Sequence, residues 1–206
     1  MVAPTPVEFW FEFASTYSYP AAMRIEAAAA SAGVPLRWRP FLLGPIFKAQ
    51  GWSDSPFNIY EAKGRYMWRD LARICARQGL CLTAPSRFPR NGLLAARVAA
   101  FGEDAPWLPA FVRGVYTANF ADDREISEPA VLAELLRAVG LDPASTLAAA
   151  QEAPVKDHLR ARTDEAIARG VFGAPALLVG DELFWGNDRI EDALAWATRH
   201  ELPSVR

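Results

Sequence analysis

Residues 7–21 read VEFWFEFASTYSYPA, and no other stretch restricts the fold as much. Val7, Phe9, Phe11 and Phe13 alternate with Glu8, Trp10 and Glu12, the period-2 pattern of an aromatic-rich strand. The alternation stops at Ala14-Ser15-Thr16. A helix-forming run then extends from about Tyr17 to Ser31, with Gly33 as its stop. A strand that passes so directly into a helix sets Ser15 at the junction, where first-turn N–H groups lack intrahelical partners. Such a junction favours a negatively charged ligand. On this stretch alone, Ser15 or Ser18 reads as an N-cap.

Residues 34–41 (VPLRWRPF) read as a second strand, with Leu36 and Trp38 alternating with Arg37 and Arg39. Strand, helix and strand with short loops make a parallel βαβ unit, normally right-handed. From Leu42 the period-2 signal disappears. Ile46 to Gln50 reads as one helical turn, and residues 51–56 (GWSDSP) as a loop. A long helix is expected from about Asn58 to Gln78, with Tyr66, Leu71, Ile74 and Cys75 on its buried side. Pro85 to Arg90 reads as a loop, and residues 91–101 and 107–120 as helices.

Ser127 is the expected N-cap of a helix over 128–139, with Pro129 in its first turn. Asp142-Pro143 opens a short helix, and Pro154 opens another that ends at Gly170. Strand signals return at Ala176 to Val179. Gly180-Asp181 suits a hairpin turn, and Glu182 to Trp185 pairs back. Asp188 is the expected cap of a last helix running to about Arg199, with Glu191 completing a capping box.

The order β-α-β, helical stretch, α-β-β-α predicts an α/β chain: a thioredoxin-like, four-stranded mixed sheet with a large all-helical insertion. The expected division is 1–43 and 151–206 for the sheet domain and 44–150 for the insertion. No repeat, low-complexity tract or separating linker interrupts it.

Composition removes several function classes. The chain has 206 residues, 51% of them hydrophobic, with a formal net charge of −2, an ordinary globular balance without the basic excess of a nucleic-acid surface. Met1 to Pro6 lacks the basic and apolar regions of a signal peptide, and no apolar run is long enough for a membrane span. The expected compartment is the cytoplasm. Cys75 and Cys81, not spaced as Cys-x-x-Cys, read as small core or loop residues. Two histidines, His158 and His200, without a cysteine cluster argue against a zinc site. Lys48, Lys63, Arg65 and Arg69 read as solvated helix charges. Trp52, Phe57, Tyr60 and Trp68 suit either core packing or the wall of an aromatic pocket.

Residues 171–189 (VFGAPALLVGDELFWGNDR) resemble the C-terminal signature of 2-hydroxychromene-2-carboxylate isomerases. These enzymes group with kappa-class glutathione transferases and DsbA-type oxidoreductases. Residues 39–51 (RPFLLGPIFKAQG) and 63–70 (KGRYMWRD) are similar to the same family. So is the N-terminal stretch, whose family pattern is Asp-Phe-x-Ser-Pro-Tyr-Ser-Tyr. The likeness spans nearly the whole chain in order. Departures are Thr16 in place of the proline, Glu12 in place of the aspartate, and Pro20 in place of a common leucine.

The resemblance implies glutathione as cofactor and Ser15 as the active-site serine. It implies that Ala174, before a cis Pro175, pairs with the glutathione backbone and leaves both its N–H and C=O free. Asn187 and Asp188 would meet the γ-glutamyl end, and Lys63 would contact glutathione. The residues alone also allow Pro175 as a plain strand-opening proline and Asp188 as a plain cap. Ser15 has no base near it in sequence, so a hydrolase-type nucleophile is not expected. Its hydroxyl suits a donor to a bound thiolate, lowering the thiol pKa. The implied activity interconverts 2-hydroxychromene-2-carboxylate and trans-o-hydroxybenzylidenepyruvate without consuming glutathione, in a homodimer acting on a small aromatic carboxylate. A kappa-class-like transferase or peroxidase, and a non-catalytic thioredoxin-fold module, are the alternatives. A thiol–disulfide oxidoreductase is disfavoured because no cysteine lies at the junction.

Overall fold

The computed structural model describes residues 3–198. Strands β1 (Val7–Phe11), β2 (Leu36–Pro40), β3 (Ala176–Val179) and β4 (Glu182–Trp185) form one sheet in the order β2-β1-β3-β4. β1 and β2 run parallel, pairing Val7 with Leu36 through Phe11 with Pro40. β3 lies antiparallel to both β1 and β4, with Gly180-Asp181 as the hairpin turn. β1 is therefore interior, and both of its faces are covered. Phe9, Phe11, Leu177 and Val179 join one core, while Trp10, Ala176 and Leu178 join a second. The period-2 pattern separates two buried faces here, not core from solvent. β1 ends two residues earlier than the alternation suggests, because the chain turns at Phe13-Ala14.

Helix α1 (Ser18–Ala32) follows the junction, its Ala-rich sequence favouring helix and its Pro20 falling in the first turn. It stops at Gly33, whose φ of +66° lets its N–H return to the Ala29 and Ala30 carbonyls. Between β2 and β3 the described chain is helical without a strand: α2 (Leu43–Ala49), α3 (Pro56–Ile59), α4 (Glu61–Gln78), α5 (Leu93–Phe101), α6 (Leu108–Phe120), α7 (Pro129–Ala138), α8 (Pro143–Ala149) and α9 (Ala153–Ala168). One 3₁₀ turn (Asn187–Arg189) leads into α10 (Ile190–Ala197). Arg199, the expected end of that helix, lies outside the described residues.

Several local expectations are corrected. The long helix over 58–78 is two helices, because Tyr60 is extended at φ −110° and ψ 94°. The buried side of α4 carries Met67, Leu71, Ile74 and Cys75, while Tyr66 is 63% exposed. Position 66 lies about 100° around the helix from position 67, enough to turn it outward. Ser127 is not a cap: Glu128 holds that position, and the Ser127 hydroxyl donates to Glu125 Oε1 at 2.9 Å. Asp188 does not cap α10 either. It lies within the 3₁₀ turn, and Glu191 pairs with Arg24 instead of closing a capping box.

The break at Tyr60 folds α3 back onto α4 at Gly64. A Cβ at position 64 would stand 2.2 Å from the Phe57 carbonyl oxygen. Backbone offers no easy retreat, so Gly64→Ala is expected to push α3 off α4 and to cost about 1–3 kcal/mol. Thermal melting checks this; an unchanged melting point would mean that α3 shifts freely.

Candidate active site

The site begins in the turn after β1. The Glu12 carboxylate accepts the Ala14 N–H at 2.9 Å, and the Glu12 carbonyl accepts the Ser15 N–H at 3.0 Å. From α6, the Tyr116 hydroxyl donates to the Glu12 carbonyl at 2.8 Å and the Asn119 amide to the Phe13 carbonyl at 3.0 Å. These bonds hold Ser15 immediately before α1. No side chain caps that helix at Tyr17, but the Ser15 Oγ accepts the Ser18 N–H at 3.4 Å. Thr16 is buried and donates its hydroxyl to Met67 Sδ at 2.9 Å, tying the start of α1 to α4.

The Ala174–Pro175 bond is cis, and the Gly186 N–H anchors the Pro175 carbonyl at 3.0 Å. The Ser15 hydroxyl donates to the Ala174 carbonyl at 2.8 Å. The expectation that both polar groups of Ala174 are free is thus corrected: the carbonyl is taken by Ser15. The Ala174 N–H finds no acceptor among the described residues.

Ser15 and Ala174 open into a cavity of about 720 Å³. Its wall includes several aromatic side chains: Phe47 and Trp52 from α2 and the following loop, Phe57 from α3, Phe88 from the loop before α5, Phe172 from the loop before β3, and Trp185 at the end of β4. Phe47 and Trp52 have ring centroids 5.4 Å apart, and Phe172 and Trp185 5.0 Å apart. Trp185 can lie so close because position 173 is glycine: a Cβ there would be 2.6 Å from the indole Nε1. Of the four aromatic candidates, Trp52 and Phe57 line the cavity. Tyr60 is half exposed, and Trp68 packs edge-on against Phe88.

Lys63 also lines the cavity, its ammonium 4.6 Å from the Tyr60 ring centroid and without a carboxylate partner among the described residues. Asn187 and Asp188 do not line it. Asn187 is buried, its side-chain oxygen accepting Arg24 Nε at 3.2 Å. Asp188 is exposed and pairs with Arg189 at 3.3 Å. The structure therefore brings Ser15, Ala174 and Lys63 around one space, with Pro175 directly behind, and leaves Asn187 and Asp188 outside its wall.

Sequence reasoning treated Glu12 only as a departure from the aspartate. Its carboxyl lies partly buried in the cavity wall. Burial pushes it up to about 7, against the opposing pull of the Ala14 and Ser15 N–H groups. Phe47, Phe88, Phe172 and Trp185 were likewise missed as wall residues, although the last two stand inside the C-terminal signature.

Residues 6–195 match the family of the DSBA-like thioredoxin domain. The 2-hydroxychromene-2-carboxylate isomerase of Sphingobium xenophagum is 34% identical over 191 residues, covering 90% of this chain and 94% of that protein. Glutathione S-transferase kappa 2 of Caenorhabditis elegans is 25% identical over 198 residues, covering 89% of this chain and 88% of that protein. A solved 2-hydroxychromene-2-carboxylate isomerase superposes with a TM-score of 0.81 at 26% identity, covering 92% of this chain and 94% of its own. A DsbA-like chain with these relatives along its length belongs to the 2-hydroxychromene-2-carboxylate isomerase family of DsbA-like thioredoxin proteins.

Proposed function

We propose that this protein is a glutathione-dependent isomerase that interconverts 2-hydroxychromene-2-carboxylate and trans-o-hydroxybenzylidenepyruvate. The observation that carries the reading is the Ser15 hydroxyl, placed at the start of α1 and against the cis-proline loop, on the wall of a large aromatic cavity.

The chain's own groups fit a peptide thiol. The unpartnered Ala174 N–H suits the carbonyl of an extended peptide, and Lys63 suits a carboxylate. Asp188 suits the ammonium of a γ-glutamyl group just outside the wall, while Asn187, held by Arg24, keeps that turn in place. Glutathione held by these groups would supply a nucleophilic thiolate able to add reversibly to a carbon–carbon double bond, the chemistry an isomerisation about that bond needs.

Ser15 has a single proton to donate, and in the free protein it rests on the Ala174 carbonyl. Turning that proton toward a bound sulfur favours the thiolate, as does the N-terminus of α1 behind it. The Phe and Trp side chains of the apolar wall suit the flat ring of the substrate. The same reading makes residues 44–150 an inserted subdomain that supplies much of this wall, and makes the protein a cytoplasmic homodimer of aromatic-acid catabolism.

The test is to mix the protein with 2-hydroxychromene-2-carboxylate, with and without glutathione, while following the absorbance of both isomers and the free thiol. Isomerisation that needs glutathione and leaves the thiol concentration constant is expected. Falling thiol would identify a transferase or peroxidase. Absence of both reaction and glutathione binding would leave a non-catalytic module.

A further inference from the structure

We propose that Glu12 is a second catalytic residue, relaying the proton that must pass between two oxygens of the substrate when its ring opens and closes. The proposal rests on the isomerase reading above. In 2-hydroxychromene-2-carboxylate, the carbon that bears the hydroxyl also bears the ring oxygen. Opening breaks the bond from that carbon to the ring oxygen, turns the hydroxyl into a carbonyl, and makes the ring oxygen a phenol. The Glu12 carboxylate takes the hydroxyl proton. The O–H electron pair becomes the second bond of the carbonyl, and the pair of the broken bond leaves on the ring oxygen. Glu12 then gives the proton to that oxygen. Closure is the reverse, and Glu12 begins and ends each passage ionised. No other reactant is required.

The geometry places Glu12 for this task. It stands three residues before Ser15 on the same turn and lines the same cavity. The Ala14 N–H bonds Oε2 at 2.9 Å and the Ser15 N–H also acts on the carboxylate, while no hydrogen bond to Oε1 is made among the described residues, which leaves Oε1 for a substrate oxygen. Gly92 keeps the space beside Oε1 open: a Cβ there would stand 3.6 Å from it and only 2.8 Å from the Phe13 Cβ.

Neighbouring groups do not neutralise the carboxyl. Arg90, from the loop before α5, is spent on Asn119, Asp123 and Ser86. Tyr116 of α6 donates to the Glu12 backbone carbonyl, and burial keeps its phenol protonated. Tyr17 at the start of α1 donates to Asp70 of α4 at 3.1 Å. Lys63 of α4 lines the cavity without an ion pair to Glu12. Left to desolvation, the carboxyl titrates at about 7, where a single group both accepts and returns a proton efficiently.

The test has two readouts. In the glutathione-free protein, with glutamate side-chain carboxyls labelled with carbon-13, one resonance should titrate near pH 7 and be missing from Glu12→Gln. In turnover with glutathione, wild-type kcat should rise with pH through about 7 in both directions. Glu12→Gln should lose that limb and roughly a hundredfold or more in kcat, while its glutathione affinity by calorimetry stays the same. Glu12→Asp, which keeps a carboxyl, should restore most of the activity. A Glu12 resonance titrating in the ordinary carboxylate range overturns the proposal even if Glu12→Gln does not fold. So does a folded Glu12→Gln with wild-type kcat. A wild type that does not isomerise brings down the functional reading and this proposal together; an active wild type with an unimpaired Glu12→Gln brings down the proposal alone.

Discussion

Replacing Ser15 with alanine is expected to slow isomerisation by on the order of a hundredfold or more, the usual cost of losing one aimed hydrogen-bond donor. Glutathione should still bind, because the Ala174 N–H and Lys63 are untouched. The bound thiol should titrate at higher pH, seen as thiolate absorbance in the ultraviolet, and the variant should regain rate as pH rises. Stability should change by only about 1 kcal/mol. The lost bond is the one to the Ala174 carbonyl, which faces the cavity and can accept water instead. If Ser15 were only an N-cap, the variant would melt lower yet keep both thiol pKa and rate per folded molecule. The 3.4 Å contact from the Ser18 N–H is the sole trace of capping, and it is a long one.

The second large effect lies in an ion-pair cluster around Arg39 of β2. Glu103, just after α5, accepts Arg162 Nε of α9 at 3.0 Å and also pairs with Arg39 of β2 and His158 of α9. The side chains of Glu103 and Arg39 are each 6% exposed. Glu103→Ala leaves the Arg39 guanidinium with Asp104 at 3.4 Å and Glu8 at 3.7 Å. Removing one partner of a buried pair typically costs about 3–5 kcal/mol, because the other charge stays buried. That loss is expected in urea denaturation, with the m-value unchanged. A loss below about 1 kcal/mol would mean that water solvates Arg39 without rearrangement.

Acid should reveal the same cluster. Burial alone would raise the Glu103 carboxyl, but hydrogen bonds from Arg162 and His158, with the charges of Arg39 and Arg162, hold it below its ordinary 4.5. A folded-state value below the unfolded one contributes stability that is complete above the unfolded value. It is lost as pH falls through the folded one. Wild-type stability should therefore fall below about pH 4.5, and Glu103→Gln should lack that part of the fall.

Legibility in the sequence follows the range of the forces involved. The β1–α1 junction, the β3–β4 hairpin and the Gly33 stop were readable because periodicity and φ preference act within a few residues. The caps at Ser127 and Asp188 were misplaced because a cap depends on the backbone angles of one residue, and a shift of one position transfers the role to a neighbour. Tyr66 turned outward for a similar reason. The break at Tyr60 had its cause in Gly64, whose missing side chain admits the Phe57 carbonyl; nothing local to Tyr60 announces it.

The sequence by itself determined the four strands and the serine at the junction, since each is written in a contiguous run of residues, and the family, whose motifs recur in order along the chain; the cis bond before Pro175 was only implied by that resemblance until the tertiary structure showed it. The tertiary structure alone decided the cavity, because its wall draws on chain positions from Glu12 to Trp185 that only folding brings together. It decided that the Ser15 proton rests on Ala174, 159 residues away, and that Asn187 and Asp188 stand outside the wall. It also decided the acidity of Glu12. A carboxylate's pKa rises when water is taken from it, and desolvation is a property of everything packed around a side chain, not of the residues beside it in the chain.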